Sequence, residues 1–291
     1  MTHIERISSY FRNLVSAATS AGQAQLARAT ANEGDGMLVV SDENAPAYIK
    51  HNLENAANEL EQIYYSHTGR RIFKWHHYLA IYDRHLQAYK ALAAQNIIQE
   101  TTAVAPKGKL RILEIGVQNG GSLQMWRRFF GAEAIIFGID IDPKCKQFEE
   151  DDCHVRIGDQ SDPSFLASVI AEMGGVDIVI DDGSHIASHQ SASFKALFPL
   201  LSSGGMYICE DLHTSYWNDW EGGYRKPGTF IETAKDMVDH MHEWYWPIST
   251  PLDGLKLKTS ALSVAFYDSI VVIEKGAKTR PYAVHVGKSS F

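Results

Sequence analysis

From residue 110 onward the chain alternates short apolar runs with amphipathic stretches. Apolar runs fall at 111–115, 135–139, 153–157, 176–180 and 206–209, and helical spacing occupies about 122–130, 162–173 and 187–201 between them. Strands alternating with helices predict a parallel sheet covered on both faces, joined by right-handed crossovers. The Ser-Ser-Gly-Gly after the third helical stretch reads as its glycine C-cap. Beyond residue 259 the pattern changes. Ala261–Tyr267 and Ile270–Glu274 flank Asp268-Ser269, which reads as an antiparallel hairpin.

Upstream, Ile4, Ile7, Phe11, Leu14, Val15 and Ala18 recur at helical spacing, predicting an amphipathic helix over 1–32 that Gly34-Asp35-Gly36 breaks. Further helices are expected over about 46–65 and 73–99, and 101–108, with Pro106 and Gly108, reads as a linker. Two regions follow: a helical N-terminal part over 1–105 and an α/β domain over 106–291. The second carries an insertion at 213–259 that holds four of the six tryptophans, Trp217, Trp220, Trp244 and Trp246. Within it a helix is expected over 229–243, with Phe230, Ala234, Met237, Val238 and Met241 as one stripe.

Composition narrows the partners. The 291 residues are 45% hydrophobic, enough for a sizeable core, and carry a net charge of −8 with no Lys/Arg run longer than two. That argues against nucleic acid or an anionic membrane as the main partner. No apolar run approaches the roughly 20 residues of a membrane span, and the polar start lacks a secretory pattern. Cys145, Cys153 and Cys209 show no C-x-x-C spacing, so reduced thiols in a cytoplasmic protein are expected, without a zinc site.

The candidate chemistry lies at the ends of the strands. Residues 111–121, Arg-Ile-Leu-Glu-Ile-Gly-Val-Gln-Asn-Gly-Gly, read as a buried strand, a tight glycine turn and a helix start, where backbone can approach a nucleotide closely. A dinucleotide fingerprint needs a glycine where Gln118 stands. An acidic strand end, Glu114, followed by G-x-x-x-G from Gly116 resembles instead the first motif of class I S-adenosylmethionine-dependent methyltransferases. Five parallel strands closed by an antiparallel hairpin are also that family's arrangement, a Rossmann-like sheet. In open α/β sheets ligands sit beyond the carboxyl ends of the strands. There Asp140 ends the second strand, where it could accept both ribose hydroxyls, and Asp159 ends the third, near an adenine amino group. Glu114, Gly116, Gln118, Ser122, Asp140, Asp159 and Asp181 form the expected cofactor set.

The fourth strand ends Ile-Asp181-Asp182-Gly-Ser-His185 and the fifth Cys-Glu210-Asp211-Leu-His213. Neighbouring strands lie roughly 5 Å apart, so these acidic pairs should face one another. Carboxylates converging without a basic neighbour repel unless protons or a cation neutralise them. Asp182, Glu210 and Asp211 are therefore expected to hold Mg²⁺ or another hard divalent cation. The alternative is that each pair caps its following helix. His185, three residues past Asp182, is the expected general base, with His189 and His213 as weaker candidates.

Ile-Asp-Asp-Gly-Ser-His at 180–185 and Glu-Asp-Leu-His-Thr-Ser-Tyr-Trp at 210–217 resemble the metal-dependent sugar O-methyltransferases of macrolide biosynthesis, the mycinamicin and macrocin type. The match covers 110–275 well and the first 45 residues least. The resemblance implies magnesium on Asp182, Glu210 and Asp211, and His185 as base. It implies further that Ser66 to Tyr82, with Lys74-Trp75-His76-His77-Tyr78, helps close the cofactor site and build an oligomer, a dimer or tetramer. The expected reaction is S-adenosylmethionine-dependent methylation of a sugar hydroxyl on a glycosylated natural product, with the aromatic insertion as a lid. Alternatives are a catechol-type O-methyltransferase acting on an aromatic diol, an NAD-dependent reductase, and a non-catalytic S-adenosylmethionine-binding protein.

Overall fold

The computed structural model describes residues 45–95, 109–246, 255 and 257–288. The helix expected over 1–32, the break at 34–36 and the linker at 101–108 lie outside the described residues.

The N-terminal part forms α1 (Ala45–Glu54), α2 (Glu59–Tyr65) and α3 (His76–Gln95). The single helix expected over 46–65 is therefore two. Asn58 ends the continuity: its side chain accepts from the Glu61 amide at 2.9 Å, while Glu61 Oε2 accepts from the Ala57 amide at 2.7 Å. This pairing is like a capping box, with the glutamate reaching the amide one residue before the cap, and it starts a new helix where apolar spacing alone shows none. Residues 66–75, expected in part as helix, form a non-helical strap before α3.

The α/β part contains β1 (Arg111–Ile115), α4 (Gly121–Phe130), β2 (Ile135–Asp140), β3 (Cys153–Ile157), α5 (Pro163–Met173), β4 (Val176–Asp181), α6 (Ala187–Leu197), β5 (Leu201–Cys209), α7 (Phe230–Met241), β6 (Ala261–Tyr267) and β7 (Ile270–Lys275). The seven strands run in the order β3-β2-β1-β4-β5-β7-β6, with β1 to β5 parallel and β6 and β7 antiparallel. All seven expected strands are present. Two details differ. Helix α6 stops at Leu197 before a short turn containing Pro199, and Ser202-Ser203-Gly204-Gly205 belongs to β5 rather than capping a helix. Gly204, at φ 80°, takes up the register shift between Val176 and Ile178 of β4. In α7, Phe230, Ala234 and Met237 are buried as expected, but Val238 is 42% exposed.

Two cores cover the faces of the sheet. One joins α2, α3 and α4 to Ile112, Ile178 and Ile208, around the fully buried Trp126, Tyr78 and Tyr82. The other joins α5, α6 and α7 to Leu113, Val179 and Tyr207. Alternate residues of each strand feed opposite cores, as the period-2 geometry of a pleated strand requires. Register then fixes the site. Ile115 pairs with Asp181 and Asp181 with Cys209, so β1, β4 and β5 end level and Asp182 and Glu210 emerge side by side.

Candidate active site

A cavity of about 560 Å³ opens over the carboxyl ends of the parallel strands, within the range of small-molecule sites. Gly116 sits on its floor at φ 96°, where a Cβ would strike the Asp182 carbonyl oxygen. Only glycine lets β1 and β4 approach this closely, with the Asp182 amide donating to Ile115 O at 3.0 Å. Gln118, Ser122, Asp140 and Asp159 also line the cavity. Asp140 braces the turn: Oδ2 accepts the Val117 and Gln118 amides at 2.9 and 3.0 Å, and Oδ1 accepts the Asp142 amide at 2.9 Å. Asp159 Oδ1 accepts from the Ser161 amide and hydroxyl, each at 2.7 Å.

Glu114 and Asp181, expected on the cofactor side, are fully buried beneath the floor and do not line the cavity. Glu114 accepts from Ser122 Oγ at 2.6 Å and Trp126 Nε1 at 3.0 Å. Asp181 accepts from Tyr207 OH at 2.7 Å and Gln160 Nε2 at 3.2 Å, and burial pushes its carboxyl up to about 6. Gln160 in turn accepts the Ser184 amide at 2.7 Å. Both acids therefore orient neighbours that do face the cavity.

The metal trio expected from the sequence divides. Asp182, His185 and Asp211 offer ligand atoms that all lie within 4.8 Å of one another. His185 Nε2 is 3.9 Å from Asp182 Oδ1 and 3.5 Å from Asp211 Oδ2. Glu210 turns inward instead, and both its oxygens accept from Lys74 Nζ at 3.0 Å. Lys74 also donates to Asp182 Oδ2 and lies 3.6 Å from Glu114. The basic neighbour that sequence reasoning had not supplied thus comes from the strap, more than a hundred residues upstream. Burial opposes the Lys74 charge, but Asp182, Glu210 and Glu114 outweigh it and hold the ammonium well above the ordinary lysine value. Burial and the adjacent Asp182 push Glu210 well up, and burial raises Asp182 and Glu114 against the pull of Lys74.

Asp211 and His185 both adopt left-handed backbone, at φ 54° and 58°. Such residues cost of order 1 kcal/mol or more and persist only where the surroundings enforce them. Here Thr214 Oγ1 lies 3.0 Å from His185 O and 2.7 Å from Asp211 O, so one hydroxyl bridges the two strained residues. Asp211 Oδ1 accepts from Trp75 Nε1 and Tyr78 OH, each at 3.0 Å. From the sequence, Lys74, Trp75 and Tyr78 have only the part that the resemblance implies, in closing the cofactor site and building the oligomer; their hydrogen bonds to the site carboxylates were not foreseen. A lysine set directly between Phe73 and Trp75 was the available signal. His189 pairs with Ser184 Oγ at 3.0 Å and His213 with Ser269 Oγ at 2.5 Å.

The donor set suits a hard divalent cation. Lys74 answers only part of the charge on Glu114, Asp182, Glu210 and Asp211, and Asp182 and Asp211 keep oxygens turned toward one point. The distances there exceed the about 3 Å between neighbouring ligands of a small ion bound at 2.0–2.1 Å, so the ring must tighten to bind one.

No protein-family model matches the chain. It is 33% identical over 216 residues to the 8-demethyl-8-alpha-L-rhamnosyl tetracenomycin-C 2'-O-methyltransferase of Streptomyces olivaceus, covering 71% of this chain and 52% of that one. To demethylmacrocin O-methyltransferase of Streptomyces fradiae it is 34% identical, covering 71% and 51%. To mycinamicin VI 2''-O-methyltransferase of Micromonospora griseorubida it is 33% identical, covering 69% and 48%. The chain thus spans about half the length of the curated relatives it matches. Among solved structures, MycE methyltransferase from the mycinamycin pathway, in complex with Mg and SAH, superposes with a TM-score of 0.61 at 31% identity, over 76% of this chain and 54% of that one. The complex that also holds mycinamycin VI superposes equally, at 0.61 and 29% identity, over 82% and 62%. These curated relatives are O-methyltransferases, one of them of a rhamnosyl tetracenomycin, and the sheet of this chain is the class I methyltransferase sheet of MycE.

Proposed function

We propose that the chain is an S-adenosylmethionine- and divalent-metal-dependent O-methyltransferase whose acceptor is a sugar hydroxyl of a glycosylated natural product. The observation that carries this reading is the meeting of Asp182, His185 and Asp211 at the mouth of one cavity whose other wall is the glycine turn. S-adenosylmethionine would supply the methyl group, and a divalent cation would make an acceptor hydroxyl more acidic.

The protein's own residues prepare that transfer. Gly116 and Gln118 bring backbone to the cofactor, Ser122, Asp140 and Asp159 meet its polar groups, and Glu114 and Asp181 hold that wall from below. Asp182 and Asp211 present the outward oxygens for the cation. Glu210, the third expected ligand, is held in reserve by Lys74. His185 Nε2, 3.5 Å from Asp211 Oδ2 and 3.9 Å from Asp182 Oδ1, would take the acceptor's proton, with Asp211 stabilising the imidazolium. The strap at 71–75 lines the cavity and would act as a lid. The insertion reaches that strap through Trp75, His213, Trp217 and Trp220, and would cover the acceptor. Residues 1–105 would also serve assembly into a homo-oligomer. Consumption of S-adenosylmethionine and three free, buried cysteines fit a cytoplasmic location; no described helix is long and apolar enough to cross a membrane.

The test is methyl transfer to rhamnosylated polyketides and macrolide glycosides, with simple catechols in parallel, with magnesium and with excess chelator. Transfer to a glycoside that chelator abolishes supports the reading. Transfer to catechols alone, or transfer indifferent to chelator, overturns it. His185→Ala should lower turnover by about 10²–10⁴-fold, the usual contribution of a general base, with cofactor and magnesium affinity kept in calorimetry. Lost magnesium affinity would instead make His185 a ligand.

A further inference from the structure

The two carboxylates that face the cation point are each held from behind. An aspartate has two chemically equivalent oxygens, and rotation about its last side-chain bond is broad. Which oxygen meets an ion is therefore set by what holds the other. Lys74 donates to Asp182 Oδ2, while Oδ1 lies 3.9 Å from His185 Nε2. Asp211 Oδ1 accepts from Trp75 Nε1 and Tyr78 OH, each at 3.0 Å, while Oδ2 lies 3.5 Å from His185 Nε2. All three donors come from the short segment 74–78, and the oxygens they leave are those that share one point with His185.

The hold on Asp211 differs from that on Asp182. Lys74 brings a charge as well as a hydrogen bond, whereas Trp75 and Tyr78 are neutral and act on Asp211 through direction. Tyr78 is fully buried, its ring edge-to-face with Tyr82 at 6.1 Å between centroids. Its hydroxyl accepts the Asp211 amide at 3.1 Å, and its one proton divides between Asp211 Oδ1 and Ser269 O, 2.9 Å away in the turn between β6 and β7. Ser269 O also accepts the Leu212 amide at 2.9 Å. Tyr78 thus meets both the side chain and the left-handed backbone of Asp211. The Tyr78 amide donates to Trp75 O at 3.1 Å, which sets the two donors on one turn of chain. Asp211 cannot turn its carboxylate without breaking these bonds.

We infer that Trp75 and Tyr78 are positioning residues for the divalent cation: they fix Asp211 Oδ1 so that Oδ2 is presented to the ion, neither being a ligand itself. This rests on the divalent-metal reading of the site given above. Groups that orient a metal ligand from behind typically decide about 10–100-fold of metal affinity. The strap then does more than cover the cavity, because its last residue, Trp75, aims one of the carboxylates that would hold the ion.

The experiment is calorimetric titration of the full chain with magnesium chloride, for the parent, Trp75→Phe, Tyr78→Phe and the double variant. Both substitutions keep an aromatic ring and delete the donor. Tyr65→Phe is the control, since it deletes a tyrosine hydroxyl that pairs with His76 Nδ1 at 2.6 Å. Each donor variant should lower magnesium affinity by about ten-fold or more, and the double variant by up to about a hundred-fold. Affinity for S-adenosylhomocysteine, measured in excess chelator, should stay at the parent's value. Circular dichroism and thermal unfolding verify folding, and Trp75→Phe, in the half-buried strap, stays informative if Tyr78→Phe harms the core. Magnesium affinity unchanged in all three donor variants overturns the inference and leaves the metal reading standing. A parent that binds no magnesium overturns both. Magnesium and S-adenosylhomocysteine affinities that fall together, or a Tyr65→Phe variant that loses as much magnesium affinity as Tyr78→Phe, would reduce the two donors to general packing and overturn the inference.

Discussion

At the scale of residues, Lys74 organises the site more than any acid does. Its side chain is 2% exposed and touches Glu114, Asp182 and Glu210. Removing one partner from a buried ionic cluster leaves uncompensated charge and typically costs about 3–5 kcal/mol. Lys74→Met should therefore lower the thermal midpoint markedly. Magnesium should raise the midpoint of the variant more than that of the parent, since a cation would then meet acids that the ammonium no longer screens. Thermal unfolding with and without magnesium checks this, and equal magnesium shifts in both proteins would show that Glu210 and Asp182 do not reach the ion. The acids themselves were legible, because each follows an apolar run that reads as a strand. Lys74 was not, because pairing across 108 positions, to Asp182, leaves no local trace. Only its setting among Ile72, Phe73 and Trp75, apolar on both sides, marks it as buried.

At the scale of elements, the strands were readable and their ends less so. Strands β1 and β3 match their apolar runs residue for residue because both are paired or packed along their whole length. The misreading at 202–205 has a physical cause: two glycines suggest a helix stop, whereas here they let β5 bend alongside β4. The division of 46–65 at Asn58 was written in Asn-x-x-Glu, a cap that overrides continuous helical spacing. The closed edge of β3 allows a pH test. Hydrogen bonds from Lys146 and from the Val155 amide hold the Glu149 carboxyl down to about 2, against an ordinary value of 4.5. A depressed carboxylate contributes stability that is complete above its unfolded pKa and is lost as pH falls through the folded one. Glu149→Gln should therefore unfold at lower urea than the parent at pH 6. The two midpoints should converge as pH falls from about 4.5 toward 2. A difference that persists unchanged to pH 3 would assign the effect to packing rather than charge.

At the scale of the whole molecule, the segments that complete the site come from opposite ends of the chain order. The strap before α3 carries Trp75, whose ring lies 5.7 Å from His213, and the edge-to-face row continues to Trp217 at 4.7 Å and Trp220 at 5.5 Å. Trp75 also donates to Asp211, so one side chain ties the aromatic row to the carboxylates. No described residue of the insertion lines the cavity, and the row is the link from the insertion to the site. Trp217→Ala removes the middle ring and breaks two ring contacts, each worth about 0.5–1.5 kcal/mol. If the insertion covers the acceptor, KM for the glycoside should rise roughly ten-fold or more, while kcat and the affinity for S-adenosylmethionine stay within about two-fold. Steady-state kinetics beside calorimetry separate the readings, because a purely structural row would lower the thermal midpoint and leave KM where it was. That outcome would return the insertion to a packing role over α7, where Phe230, Ala234 and Met237 already hold it to the sheet.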